Sequence, residues 1–510
     1  MQLPTDARQN RSDLAFLALL LGGFVVLATY ISFRKSIWLD ETFTLERTGT
    51  SLEHTLHLAR YRSLKPPLYF VSVYYWRFFG DSIEWVRGLS IVSVALALVY
   101  LHRISTALGI GRGWRSLALI GALTPHLIWA AIEARAYGLT ILCLAACTHY
   151  FIRLWVSGSD KPWRDNVLFV LFAYAGILSF YYAGFILAGL FVAGLFGRDH
   201  RRLVWSGVAL ALLLAPWLPQ IAEHVGQQGN YMAPIELEGA APVHQAGALG
   251  AWLLGLPSEI VFRHVSLLSR LGAETGLMAL GLVLLGLRVG LGQPRWSRPE
   301  TMLWVAAGVG LGLLAAIRIS NVQMMDLRHW SIAAPSLIVL PPLLASQLRP
   351  AWASRSAAAG VLGVFAVTAA SYARNEEGPR NVHAAADVVM REERPGEPIF
   401  YFFGNPASFE YYYHRLNPVR RLPVDPAAQP MVKRGAPLAP ADHLHLANLL
   451  ASADTAQRSF WVIEDWEQPQ AVGIIEATLS RSLEELGRWQ YYRVSVTHVR
   501  LGQPVAPDQP

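Results

Sequence analysis

The fold is decided by residues 14–33, LAFLALLLGGFVVLATYISF, a run of twenty positions without a charged side chain. Twenty residues in a helix cover about 30 Å, which is the thickness of the hydrocarbon core of a bilayer. The run is too long for a typical signal-peptide core, and no clear small-residue cleavage site follows it. We therefore expect an uncleaved first membrane helix.

Ten further apolar stretches follow along the chain. They cover residues 87–101, 116–132, 136–156, 165–182, 183–197, 203–220, 272–290, 301–318, 330–347 and 356–373. Charged residues make up only 15% of the chain, where a soluble protein carries about 25%. With a mean hydropathy of +0.32, these features exclude an ordinary soluble enzyme and predict a mainly α, polytopic bundle of about eleven transmembrane helices.

The distribution of charge divides the chain near residue 375. From Asn375 to the end there are 13 basic and 17 acidic residues, whereas the first 374 residues carry a net charge of +11. We therefore predict a transmembrane domain over 1–374 and a soluble domain over 375–510. Although the pI is about 9.4, nucleic acid is not an expected partner, because the basic residues lie between membrane-length apolar runs.

Lysine and arginine collect in alternate short loops between the apolar stretches. A cytoplasmic N-terminus places these basic residues in cytoplasmic loops: Arg103, Arg112, Arg115, Lys161, Arg164, Arg198, Arg201, Arg202, Arg295, Arg298, Arg349 and Arg355. Such enrichment is typical of cytoplasmic loops. The pattern predicts a multi-pass protein of the inner membrane, with its C-terminal domain outside the cytoplasm.

The C-terminal domain is predicted to have an α/β fold. Helices are expected over 381–391, 407–414 and 475–489, and strands over 398–403, 459–463 and 491–499, with a Pro-rich irregular stretch at 417–442.

The predicted first outer loop, residues 34–86, is unusually basic for the translocated side of a membrane protein. Within it, residues 67–79 (PLYFVSVYYWRFF) are aromatic but shorter than a full span. We expect an interfacial helix on the outer leaflet. The alternative, a short membrane span, would invert the topology that follows.

Four charged motifs lie at outer ends of the predicted spans. They are WLDET at 38–42, KPPLY at 65–69, EARAYG at 133–138, and DLRHW at 326–330, which Pro335 follows. Each has an ordinary interpretation as a helix cap, a snorkelling lysine or a surface ion pair. All four nevertheless fall on one face of the predicted bundle, and this convergence indicates a functional site.

These motifs resemble those of the C-type membrane glycosyltransferases (GT-C fold), a group that includes the protein O-mannosyltransferases and the aminoarabinose transferases of lipid A. WLDET, KPPLYF and EARAYG match the pattern in order and spacing over residues 10–150, and RHWSIAAP extends a looser similarity. Lys65 stands where the mannosyltransferases have histidine, which looks closer to the aminoarabinose branch. The resemblance implies a sugar donor linked to a polyprenyl phosphate and an envelope lipid or glycan, such as lipopolysaccharide, as acceptor rather than protein.

The same motifs supply candidate residues for each role in such a reaction. Lys65, Arg135 and Arg328 are cations that could stabilise a phosphate leaving group. Asp40 is the candidate general base; Glu41, whose side chain points about 100° away on a helix, is expected to orient a basic residue or an acceptor group. Candidate substrate-binding residues are Tyr69, Glu133, Tyr137 and His329. The resemblance implies a single displacement with inversion.

No metal or cofactor signature is present, although a divalent metal is not excluded. Cys143 and Cys147 lie four apart in an apolar run, so they are expected to share one helix face away from solvent. A total of two cysteines excludes a disulfide framework or a zinc site. His54 and His57, beside Glu53, lack further ligands.

The predicted function is therefore that of an integral-membrane glycosyltransferase. The alternatives are a lipid or glycan flippase or exporter, and a scaffold for envelope assembly. A transporter is expected to carry charged residues through several spans, whereas His126, His149 and Glu274 are the main ionisable groups in the predicted ones.

Overall fold

The computed structural model describes most of the membrane part and several segments of the tail. The described residues are 3–61, 65–108, 121–122, 124–197, 199–231, 298–319, 381–402, 406–413, 417–422, 459–464, 471–479, 481–491 and 494–504, with single positions between 332 and 370.

Helices form the first part of the chain. They are α1 (Leu3–Arg34), α2 (Leu39–Arg47), α3 (Leu52–Tyr61), α4 (Leu68–Trp76), α5 (Ile83–Ala107), α6 (Pro125–Ala131), α7 (Tyr137–Phe151), α8 (Pro162–Ser179), α9 (Ala183–Gly194), α10 (His200–Leu214), α11 (Leu218–Tyr231) and α12 (Arg298–Ile319). A 3₁₀ turn, Arg77–Phe79, extends α4, and a π-helical turn, Ile152–Ser157, extends α7.

Four of the described helical segments are long and apolar enough to cross a membrane, which makes the chain a multi-pass membrane protein. They are Ser12–Arg34, Ile83–Ala107, Tyr137–Ser157 and His200–His224. The predicted stretches at 272–290, 330–347 and 356–373 lie wholly or largely outside the described residues, as does the first part of 116–132. The total of eleven spans therefore stays a prediction.

The aromatic segment at 67–79 forms a short helix rather than a span. Nine residues in α4 rise about 14 Å, roughly half of what a bilayer core requires. Tyr69, Phe70 and Val73 are buried, whereas Phe78 and Phe79 are exposed. The length agrees with the predicted interfacial helix and disagrees with a short membrane span.

The chain divides into two compact units. The membrane unit contains residues 1–32 and 44–375, and the C-terminal unit contains residues 376–510 together with Phe33–Phe43. In the membrane unit, α5 and α7 pack against each other in one continuous apolar core. Helices α9 and α12 also pack closely, and glycine at position 189 allows this approach. A Cβ added at Gly189 would collide with the backbone of Ala306.

The C-terminal unit is a mixed sheet with helices on both faces. Its elements are α13 (Val382–Glu392), β1 (Ile399–Phe402), α14 (Ala407–Tyr412), β2 (Val419–Leu422), β3 (Ser459–Glu464), α15 (Ala471–Leu479), β4 (Arg481–Tyr491) and β5 (Val494–Pro504). The strand order is β2-β1-β3-β5-β4. Strands β2, β1 and β3 are parallel, whereas β5 is antiparallel to β3 and β4 is antiparallel to β5. Strands β1 and β3 are wholly buried, as expected for central strands covered on both faces.

Two predictions for the tail were wrong. The helix predicted over 475–489 ends at Leu479, and residues 481–491 form β4 instead. Glu484 and Glu485 favour a helix locally, but strand pairing with β5 and stacking of Trp489 on Trp461 (centroids 5.7 Å apart) override that preference. The irregular stretch predicted at 417–442 begins with a strand, β2, which completes the parallel edge of the sheet.

Candidate active site of the membrane unit

The turn that contains Glu133 and Arg135 is buried in the membrane unit. It joins α6 to α7, and the two residues are 1% and 6% exposed. An ion pair on a surface would be left in solvent, so the surface interpretation of this motif was wrong. Burying charged groups is costly unless they are paired and hydrogen-bonded.

Two neighbouring helices hold the backbone of this turn. Ser90 of α5 donates its hydroxyl to the carbonyl of Glu133 at 2.6 Å and also lies 3.5 Å from the carbonyl of Arg135. Thr44 of α2 donates to the carbonyl of Ala134 at 3.0 Å. Two hydroxyl groups thus hold the backbone of the turn, mainly at the carbonyls of Glu133 and Ala134.

Close packing of α7 on α5 makes the Ser90 contact possible. A Cβ added at Gly138 would lie 3.0 Å from the carbonyl oxygen of Ser90 and 3.1 Å from its Cα. The preceding residue, Tyr137, is buried and packs its ring on Trp129 (4.9 Å) and Phe180 (5.7 Å). The candidate substrate-binding residue Tyr137 is therefore packed between aromatic rings next to the turn.

Helix α2 is also tied to the end of α4. Arg77 donates to the carbonyl of Leu45 at 2.6 Å and to the hydroxyl of Thr48 at 2.9 Å, and it pairs with Asp81 at 2.7 Å. The guanidinium of Arg47 lies 6.0 Å from the ring of Phe70. These contacts connect α2, which supports the turn, to α4, which carries the buried Tyr69.

Lys65 lies at the entrance to α4 and is half-buried. Its backbone N–H donates to the carbonyl of Ala59 near the end of α3, at 3.3 Å. Pro66 and Pro67 follow, and α4 begins at Leu68. The two prolines limit the backbone freedom of this lysine.

Asp40 and Glu41 lie in the first turn of α2, within the part of that helix that belongs to the C-terminal unit. The N–H groups of Glu41 and Thr42 donate to the carbonyl of Trp38 at 2.9 and 3.1 Å. Glu41 is fully buried and Asp40 is half-buried. A first turn favours acidic residues through the helix dipole, so the helix-cap interpretation stays compatible with this position.

Some of the remaining candidates lie within the described residues and others do not. Arg328 and His329 lie outside the described residues. His54 and His57 are exposed on α3, and the described residues contain no group of three or more metal-ligating side chains. Cys143 and Cys147 are both buried on α7, as predicted.

Several residues of this region were missed by sequence reasoning. Ser90, Thr44 and Gly138 carry no charge and lie in ordinary helical sequence, so no local signal marks them. Arg87 was also missed, although an arginine near an apolar run is a recognisable signal. It is fully buried and donates to the carbonyl of Ser32 at 2.7 Å, joining α5 to α1.

The arrangement places an anionic and a cationic side chain in a buried, backbone-clamped turn. In such surroundings, charges interact with a ligand more strongly than they would in water, and they need little reorganisation when the ligand changes its charge. This turn is therefore the candidate site in the described part of the membrane unit.

No protein-family model matches the chain, and no curated protein matches it. The apo structure of ArnT from Cupriavidus metallidurans aligns with a TM-score of 0.48 and 14% sequence identity. The structure of ArnT from the same organism bound to undecaprenyl phosphate aligns with a TM-score of 0.47 and 16% identity. Both alignments cover 95% of this chain and 98% of ArnT. The chain thus has ArnT among its structural neighbours, at low sequence identity and near-full coverage.

Proposed function

We propose that the chain is an integral-membrane glycosyltransferase that moves a sugar from a polyprenyl phosphate to an acceptor outside the cytoplasm. The acceptor is an envelope lipid or glycan rather than a protein. The enzyme resides in the inner membrane with a cytoplasmic N-terminus, and its C-terminal domain is extracytoplasmic. Residues 1–374 form the transferase domain, in which the loop 34–86 contributes catalytic residues.

The observation that carries this proposal is the buried turn at Glu133–Arg135. Two hydroxyl groups, those of Ser90 and Thr44, hold its backbone at 2.6 and 3.0 Å. Charged side chains on a fixed, buried backbone are the arrangement that electrostatic stabilisation of a charged ligand requires. Its sequence, EARAYG, is also one of the motifs by which the chain resembles the C-type glycosyltransferases.

The sugar of the donor is already activated, because the phosphate attached to it is the leaving group. When the anomeric carbon–oxygen bond breaks, the electron pair leaves with the phosphate, whose growing negative charge requires cations aimed at it. Arg135 offers a planar, two-pronged contact, whereas Lys65 provides a point charge on a restrained backbone. Arg328 is the third cation assigned to this role.

The acceptor hydroxyl attacks the anomeric carbon from the opposite side and loses its proton to Asp40. This is a single displacement, so the configuration at that carbon inverts. Glu41 orients a basic residue or an acceptor group. Tyr69, Glu133, Tyr137 and His329 contact the substrates, with the aromatic rings suited to sugar or prenyl surfaces.

Mass spectrometry of envelope glycans from a deletion strain tests the proposal and names the sugar and the acceptor together. We expect one envelope component to lose a single sugar residue, which the wild-type gene restores. If every envelope component of the deletion strain carried its full set of sugars, the proposal of a transferase would be refuted. If a complete glycan instead accumulated on the cytoplasmic side of the membrane, with every sugar linkage present, the protein would be a flippase or exporter.

Matched variants separate chemistry from folding. Asp40→Asn is compared with Glu46→Gln, because Glu46 is an exposed acid on the same helix α2. Lys65→Ala is compared with Lys161→Ala, because Lys161 is an exposed lysine in another loop. Binding of undecaprenyl phosphate to the purified variants shows whether donor-lipid binding or turnover is affected.

A further inference from the structure

We propose that Tyr412 is a positioning residue that holds the segment carrying Asp40 and Glu41. This inference rests on the proposed function, in which those two carboxylates act on the acceptor. It assigns a task to the C-terminal unit, which contains residues Phe33–Phe43 as part of its own compact fold.

A backbone hydrogen bond joins this segment to helix α14 of the same unit. The N–H of Ile37 donates to the hydroxyl oxygen of Tyr412 at 2.7 Å, across 375 positions of sequence. Ile37 lies in the irregular stretch between α1 and α2 and is fully buried. An irregular stretch has no helical ladder of its own, so an outside acceptor has a direct effect on where its backbone lies.

A second contact supports the first. The N–H of His383 lies 3.5 Å from the hydroxyl of Ser36, the residue before Ile37. The ring of His383 packs on the ring of Tyr412, with centroids 4.6 Å apart. Helices α13 and α14, which carry these two rings, pack against each other in the C-terminal unit.

Backbone hydrogen bonds connect the position of Ile37 to that of the two carboxylates. Trp38 follows Ile37, and its carbonyl accepts from the N–H groups of Glu41 and Thr42. The hydroxyl of Thr42 also donates to the carbonyl of Leu39 at 2.7 Å. The first turn of α2 is thus hydrogen-bonded to the carbonyl of Trp38. A shift of the neighbouring Ile37 peptide, which Tyr412 holds, is therefore expected to move Asp40 and Glu41 as well.

The neighbouring tyrosine has a different task and provides a matched control. The hydroxyl of Tyr413 donates to Glu393 at 2.5 Å and accepts from the N–H of Asn417 at 3.1 Å. These bonds lie within the 376–510 part of the unit. Tyr413→Phe therefore removes one hydroxyl from the same run of tyrosines without touching the bond to Ile37.

The test measures hydrogen–deuterium exchange of peptides covering residues 33–43 in the full-length, detergent-solubilised protein. Loss of one hydrogen bond corresponds to about 2- to 10-fold faster exchange. We expect that increase in Tyr412→Phe and not in Tyr413→Phe, with exchange in 399–402 and 459–464 unchanged in Tyr412→Phe. Equal exchange in wild type and Tyr412→Phe, or an equal increase in both variants, would overturn the inference.

Activity completes the test. Misplacing a catalytic group by about 1 Å can cost about 100-fold in rate, so the deletion strain complemented with Tyr412→Phe is expected to form clearly less glycosylated product. Affinity for undecaprenyl phosphate is expected to stay at the wild-type value. Faster exchange with wild-type product formation would overturn the positioning role. If the wild-type protein transfers no sugar, the proposed function fails, whereas the exchange comparison still decides the contact.

Discussion

Replacing Glu397 with glutamine is expected to destabilise the C-terminal unit by about 3 kcal/mol at neutral pH. Glu397 is fully buried just before β1 and accepts four hydrogen bonds. The donors are the Ser459 hydroxyl (2.6 Å), the Arg394 N–H (2.9 Å), the Trp461 indole (3.0 Å) and the His498 ring (3.2 Å). A glutamine amide would turn its own donors towards some of these groups.

The magnitude follows from the pKa of Glu397. Burial alone would raise this pKa, but the hydrogen bonds from His498, Ser459, Arg394 and Trp461 lower it from an ordinary 4.5 to about 2. Because the pKa is lower in the folded state, the stabilisation is fully present above pH 4.5 and is lost as the pH falls towards 2. Each unit of difference corresponds to about 1.4 kcal/mol, which leads to the value of about 3 kcal/mol.

Hydrogen exchange of β1 and β3 in the full-length protein measures this effect, after correction for the intrinsic pH dependence of exchange. Wild-type protection is expected to fall between pH 4.5 and pH 2, whereas Glu397→Gln starts lower and loses this part of the pH dependence. Glu485→Gln is the control, because Glu485 is half-exposed in a surface pair with Arg488. Wild-type protection in Glu397→Gln at pH 7 would refute the reasoning.

Other predictions concern the site and the topology. Asp40→Asn is expected to lower transfer about 10²- to 10⁴-fold with near-normal binding of undecaprenyl phosphate; wild-type turnover would remove Asp40 from the role of base. Lys65→Arg is expected to keep part of the activity and Lys65→Ala little of it, and unchanged affinity and rate in both would make Lys65 a simple anchor. Gly138→Ala is expected to destabilise the membrane unit by about 1–3 kcal/mol through the contact with Ser90, measured by thermal unfolding; an unchanged midpoint would contradict this. A reporter fused after Pro510 is expected to be active outside the cytoplasm, and activity only inside would exclude the predicted orientation.

The local sequence predicted the elements that consist of a continuous run of apolar or aromatic residues. The run at 14–33 lies within α1, and the short aromatic segment forms α4 and the 3₁₀ turn after it. The strand predicted over 398–403 contains β1, Ile399–Phe402. Burial on both faces of a strand or around a helix requires a continuous apolar run, which can be recognised without a partner. The failure at 481–491 has the converse cause, because a local preference for helix was overridden by pairing with β5.

The candidate site divides in the same way. The sequence by itself determined the membrane class of the chain and the motifs around Asp40, Lys65 and Glu133, because residue type and order are properties of the chain alone. Only the tertiary structure decided that Glu133 and Arg135 are buried and that Ser90 and Thr44 hold their turn. The same is true of Tyr412 and Ile37, which meet across 375 positions. Such contacts join residues with no periodic or local relation, so they exist only once the packing of distant helices has brought one donor to one acceptor.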